Sequence, residues 1–138
     1  MREIKFRAWD KEDKRMIIDE QDFIPVKVTN KGVLRLNPHH KENFWEFIDE
    51  ERFEIMQYTG IKDKNGREIY EGDIISTDLD RPFNIVVFRN GAFMFQCHDN
   101  GKDYYDYMFS VEEESDRWEY GEVIGNIYEN PELLEGTA

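Results

Sequence analysis

Apolar and polar residues alternate with a period of two along much of this chain, the pattern of half-buried strands. Ile4, Phe6 and Ala8 alternate with Lys5 and Arg7, residues 10–14 form a polar turn, and residues 16–18 begin a return strand. The chain therefore opens with a hairpin. Residues 23–28 and 33–36 form a second pair around Asn30-Lys31-Gly32, with Pro25 marking its first strand as an edge or a late start. Over residues 41–51 the period changes. Phe44, Phe47, Ile48 and Glu51 fall at helical spacing with Trp45 beside them, which predicts a short helix. An irregular linker capping the core with Phe44 and Trp45 is the alternative.

Residues 56–75, MQYTGIKDKNGREIYEGDII, read as strand, tight turn, strand, bend, strand. Gly60 marks a turn. Asn65-Gly66 suits a type I′ turn, in which both central residues take positive φ. A longer loop with Gly66 in the left-handed region is the alternative. Gly72 supplies the bend at Glu71-Gly72-Asp73, and the Asp73 side chain can hold it by bonding local backbone N–H groups. Residues 83–89 and 92–97 flank Asn90-Gly91, a second hairpin turn. Residues 86–88 are almost all apolar, which predicts a strand covered on both faces. Tyr104, Tyr105, Tyr107, Met108 and Phe109 form an aromatic cluster that ends at Val111. Trp118 and Tyr120 alternate with Glu119. The last strand, residues 122–128, has Gly125 at a bulge or close approach, and Asn130-Pro131 stops it.

The total is roughly eight to ten short strands with a turn every eight to twelve residues or so, which predicts an all-β protein with minor helix. Residues 55–138 have the strand order of an SH3-like small barrel with a C-terminal tail. Residues 1–54 add a β-rich subdomain with the short helix near 41–51.

Composition supports this reading and narrows the function. Of 138 residues, 14% are aromatic, which favours strands, and 36% are charged, which gives a polar skin. No apolar run reaches the length of a membrane span and no signal peptide is visible. The single cysteine, Cys97, reads as a buried hydrophobe and fits a reducing, cytoplasmic setting. Residues 1–70 hold 14 basic and 15 acidic side chains, whereas residues 71–138 hold 4 and 16. The acidic half disfavours nucleic acid and can attract a basic partner, while the simpler alternative is that it keeps a small protein soluble.

Catalytic and metal chemistry find no support. Asp63-Lys64-Asn65-Gly66-Arg67-Glu68 places oxygens near a glycine, but Ile61 breaks the calcium-loop ladder. His39-His40 and His98 have no partner at ligand spacing. The run Glu112, Glu113, Glu114, Asp116 reads as a solvated turn. There is no phosphate loop, nucleophile elbow or zincin helix. Neither cofactor nor small-molecule substrate is implied.

The segments Gln57-Tyr58-Thr59-Gly60, Lys62-Asp63-Lys64-Asn65-Gly66, Ile69-Tyr70-Glu71-Gly72-Asp73-Ile74 and Val123-Ile124-Gly125-Asn126-Ile127-Tyr128-Glu129-Asn130-Pro131 resemble the YopX protein family. The opening Arg2-Glu3-Ile4-Lys5-Phe6-Arg7-Ala8-Trp9-Asp10 is similar to the family's start. The resemblance spans essentially the whole chain. It implies a phage or prophage protein of low-GC bacteria with an SH3-like C-terminal domain, and it implies no activity. What stands out is a surplus of aromatics over the needs of a small barrel. Tyr58, Tyr70, Glu71, Tyr104, Tyr105, Tyr107, Trp118 and Tyr120 form the candidate interaction surface, with an ordinary core plus a self-association contact as the plainer reading of the same aromatics. The functional expectation is a non-enzymatic module that binds another protein or itself. A nucleic-acid-related role is the alternative, through the basic cluster Arg2, Lys5, Arg7, Lys11, Lys14 and Arg15 or through acidic mimicry against a host protein.

Overall fold

The computed structural model describes residues 4–18, 26–36, 44–77, 84–99, 102–107, 117–118 and 121–134. The protein is all-β, with thirteen strands, two 3₁₀ turns and no α-helix among the described residues. The chain divides into two compact units between Gln57 and Tyr58, three residues beyond the boundary placed at 54/55 from sequence.

The first unit contains β1 (Phe6–Asp10), β2 (Arg15–Ile18), β3 (Val26–Thr29), β4 (Gly32–Leu36), β5 (Trp45–Phe47) and the start of β6 (Phe53–Asp63). β1 is central and pairs antiparallel with β2 and β6, placing Ala8 opposite Ile17 on one side and Ile55 on the other. β3, β4 and β5 form a second antiparallel sheet, whose β3 lies against β1 and β2. Ala8, Ile17, Val28, Val33 and Phe53 fill the core between the sheets, with Phe6, Val26, Ile48 and Ile55 at its margin.

The helix expected over residues 41–51 is not formed. Trp45–Phe47 is a strand, with Leu36 opposite Trp45 and Leu34 opposite Phe47, and Glu50–Arg52 is one 3₁₀ turn capped by Asp49. Cross-strand pairing with β4 outweighs the local helical spacing, a common outcome for short aromatic segments. Residues 41–43 lie outside the described segments.

A buried ion pair fixes the β1–β2 turn. Asp10 Oδ1 accepts from the backbone N–H of Glu12 and Asp13 at 3.0 and 3.2 Å. Arg52 grips the same carboxylate with two bonds, Nε to Oδ1 at 2.9 Å and Nη2 to Oδ2 at 2.8 Å. Asp10 is fully buried. Arg52 holds the Asp10 carboxyl at about 2, from an ordinary 3.8, against the upward push of burial, and the two backbone N–H groups assist. Asp10 in turn pushes Arg52 further up.

The second unit contains the rest of β6, then β7 (Glu68–Tyr70), β8 (Asp73–Thr77), β9 (Asn84–Arg89), β10 (Ala92–Asp99), β11 (Lys102–Tyr107), β12 (Arg117–Trp118) and β13 (Gly121–Asn126). One sheet has the order β11-β10-β9-β8-β13, and β6 pairs with β7 and, in parallel, with β12. Ile61, Ile69, Ile75, Val86, Phe93, Phe95, Cys97 and Val123 form one core drawn from both groups of strands.

Turn chemistry follows residue type closely. Asn90 and Gly91 both take positive φ, 52° and 81°, and Arg89 pairs with Ala92 across a two-residue turn, the arrangement of a type I′ hairpin. At Asn65-Gly66 only Gly66 is left-handed, φ 85°, so the longer loop forms there. The Asp63 side chain explains the difference, because it accepts from Asn65 N at 2.9 Å and Arg67 N at 2.8 Å and wraps the loop around itself. The β6–β7 register shifts between Tyr58 and Lys62. Thr59 Oγ1 fills that bulge, donating to the Ile69 carbonyl at 2.8 Å and accepting from Ile61 N at 3.1 Å. The Glu71-Gly72 bend is held by Tyr70 N donating to Asp73 Oδ2 at 2.8 Å. β9 is not covered on both faces along its length. Phe88 is 48% exposed, because the strand runs out past the core toward the hairpin tip.

β13 bulges between Val123 and Gly125, and the chain then folds back so that Asn130 lies on Gly125. A Cβ on Gly125 would sit 2.5 Å from Asn130 Oδ1 and 3.0 Å from Asn130 Cβ. Asn130 cannot simply swing away, since its Oδ1 accepts from Asn126 N at 3.2 Å and its own N–H donates to the Asn126 carbonyl at 2.9 Å.

Two outcomes are expected. The Asp10 carboxyl has a lower pKa folded than unfolded, so the unfolded chain binds more protons between the two values. The stabilisation, about 2 kcal/mol, is present above pH ~4 and lost as pH falls toward ~2. Urea midpoints compared across this window should show wild type losing its advantage over Asp10→Asn; parallel curves would contradict the pairing. Gly125→Ala should cost about 1–3 kcal/mol by overpacking. In a double-mutant cycle Asn130→Ala should recover part of that loss, whereas strict additivity would mean the two residues are not in contact.

Candidate interaction surface

The aromatic set singled out from sequence is divided by the fold. Tyr58 and Tyr70 face each other across β6 and β7 with ring centroids 5.3 Å apart. Both are buried, at 3% and 4% exposure. They are packing residues and form no part of an exposed surface: a tilted aromatic pair at a cross-strand position stabilises the bulged hairpin. Glu71 is half-buried at the bend. Tyr104 packs against the core of the second unit, since it stands opposite Cys97 on β10.

Tyr105, its neighbour, points to the other face and is 40% exposed. The Arg89 guanidinium lies 3.8 Å from its ring centroid, a stacked cation–π contact. Tyr107 and Trp118 lie in β11 and β12; the positions of their side chains, and Tyr120 as a whole, fall outside what is described.

A different apolar surface emerges in the first unit. Val28 and Val33 turn to the core, so the alternate residues of that sheet occupy its opposite face. There Leu34 stands opposite Phe47 and Leu36 opposite Trp45. Lys27 Nζ lies 4.2 Å from the Trp45 ring centroid. Phe47 is 52% exposed and the adjacent Phe44 is 48% exposed. Phe47 also leans over Gly32, whose absent Cβ would meet the ring at 3.4 Å. The sequence contained the signal, in the alternation of Leu34 with Leu36 and of Trp45 with Phe47. Reading residues 41–51 as a helix hid it.

The basic cluster of the N-terminal segment is not a continuous positive patch. Arg7 is buried, Lys11 pairs with Glu54 at 3.1 Å, and Arg2 lies outside the described residues.

Among the described residues no group of three or more His, Cys, Asp or Glu side chains is placed to hold a metal ion. Asp63, the one carboxylate of the suspected calcium loop that is buried, has both oxygens committed to backbone N–H groups, with Val123 N at 2.9 Å on Oδ2. Cys97 is buried, and its Sγ–H donates to Asn84 Oδ1 at 3.0 Å. His39, His40 and residues 112–116 lie outside the described segments. No helix among the described residues is long and apolar enough to cross a membrane.

A family model described as YopX protein matches residues 5–135. The chain belongs to the YopX protein family. Among solved structures it is similar to YopX from Bacillus subtilis, with 23% identity and a TM-score of 0.58 over 98% of this chain and 100% of that one. The fold is therefore one that the Bacillus subtilis YopX shares. It is also similar in sequence to protein EF1440 from Enterococcus faecalis, at 29% identity over 98% and 100% of the two chains, with a TM-score of 0.47. A comparison with curated proteins finds no match. Within the segments by which the chain resembles the YopX family, Thr59, Asp63, Gly66, Gly72, Asp73, Gly125, Asn126 and Asn130 serve bulges and turns.

Proposed function

We propose that this protein is a non-enzymatic interaction module and that the exposed face of the β3–β4–β5 sheet is its working surface. The observation that supports this is the pairing of Leu34 with Phe47 and Leu36 with Trp45 on the side of the sheet away from its core, with Phe47 half exposed. Aromatic side chains held rigid on a sheet suit protein contact, since they bring large area at little entropic cost. Residues 58–138 are read as an SH3-like small barrel. The β8–β9–β10 meander, the placement of β13 on β8, and the β6–β7 hairpin sharing their core all support that reading.

The occupant we assign is a second copy of the chain. Residues 26–36 include Lys27, Lys31 and Arg35 and no acidic residue, with Arg35 paired to Glu46 at 3.4 Å within the sheet, whereas residues 71–138 hold 16 acidic and 4 basic side chains. One copy's basic hairpin and apolar face complement the acidic half of the next. Membership of the YopX family and a lone buried cysteine suit a phage- or prophage-encoded protein of the bacterial cytoplasm.

Light scattering across a concentration series tests this. The wild type should associate, more weakly at high salt, and Phe47→Asp should remain monomeric while still unfolding in one cooperative transition. A wild-type monomer at every concentration, or an oligomer unmoved by Phe47→Asp, would overturn the reading.

A further inference from the structure

Of the three Asn-Gly dipeptides in this chain, Asn100-Gly101 lies outside the described residues, and the other two have the same covalent structure and opposite surroundings. At Asn65-Gly66 the backbone is tied down. Asn65 N–H donates to Asp63 Oδ1 at 2.9 Å, Gly66 N–H to the Asp63 carbonyl at 3.0 Å, and Arg67 N–H to Asp63 Oδ1 at 2.8 Å. At Asn90-Gly91 both residues are exposed at the hairpin tip. Neither has a hydrogen-bond partner among the described residues, and a Cβ built on Gly91 would meet nothing within 4 Å.

We propose that Asn90 is a site of spontaneous covalent modification, converting through a cyclic imide to aspartate and isoaspartate, and that Asn65 is shielded from the same reaction. In the first step Gly91 N loses its proton to water or hydroxide and attacks Asn90 Cγ. A new N–C bond closes a five-membered succinimide, and the side-chain nitrogen leaves as ammonia. Water then opens the ring at either carbonyl, giving an aspartyl or an isoaspartyl link. No oxidant or reductant takes part. The attacking nitrogen must be free to lose its proton, and the chain must be able to turn about the asparagine. Gly91 meets the first condition and the open tip favours the second. Gly66 meets neither, because its N–H is donated and its loop is closed around Asp63.

The product changes the surface beside it. The isoaspartyl link adds a backbone carbon between Arg89 and Ala92, which a two-residue type I′ turn cannot absorb. Phe88 and Phe93, with ring centroids 5.0 Å apart, and Arg89 over Tyr105 flank that turn. Modification therefore loosens the β9–β10 tip and adds a negative charge next to the one exposed guanidinium–tyrosine stack described.

The full chain is incubated at mildly alkaline pH, native and in urea, and each site is followed by peptide mass mapping with isoaspartate-specific methyl labelling. In the native protein Asn90 should convert measurably faster than Asn65, because Asn65 must wait for local opening of its bonded loop. In urea the two sites should converge. Equal native rates, a faster Asn65, or an Asn90 that stays intact while the unfolded chain converts would overturn the proposal.

Discussion

Asp63 is buried at 1% exposure with both carboxylate oxygens turned onto backbone N–H groups. Oδ1 gathers the loop at Asn65 and Arg67, and Oδ2 reaches Val123, sixty residues away in sequence. Lys64 N reinforces the link by donating to the Gly121 carbonyl at 3.0 Å. A carboxylate stripped of water needs such bonds: each donor or acceptor left unsatisfied costs about 1–3 kcal/mol, and charge-assisted bonds are the stronger kind. This one side chain therefore sets the shape of the β6–β7 loop and fastens it to β13. That placement brings Ile61 and Ile69 onto Val123 in the core of the second unit.

The rest of the family pattern works in the same way. Thr59 closes a bulge with its hydroxyl, and Asp73 holds a bend. Asn126 Oδ1 accepts from Tyr128 N and Glu129 N at 3.0 and 2.8 Å, while Asn130 fits against Gly125. A side chain whose polar atoms are spent on backbone is not available for chemistry. The surface proposed for interaction is therefore drawn from other residues, the half-exposed Phe47 and its neighbours on the β3–β4–β5 sheet.

Local chemistry made much of this legible from sequence. Asn90-Gly91 sits between two apolar runs and its turn needs nothing from the rest of the chain, and the bulge at Gly125 follows from a glycine within a strand. What stayed hidden depends on distant partners. Asp63 stood out in sequence only as a possible cation ligand, because its acceptor role toward Val123 cannot be seen without the fold. Tyr58 and Tyr70 read as surplus aromatics until the β6–β7 register set them face to face. Phe44, Phe47 and Ile48 have helical spacing, and only pairing with β4 makes β5 a strand.

Native-state hydrogen exchange of three amides tests the role of Asp63 most directly. If its carboxylate joins loop to strand, the N–H groups of Asn65, Arg67 and Val123 exchange through one common opening and show matching protection. Rapid exchange of Asn65 and Arg67, at the rate of a free surface loop with Val123 still protected, would contradict it.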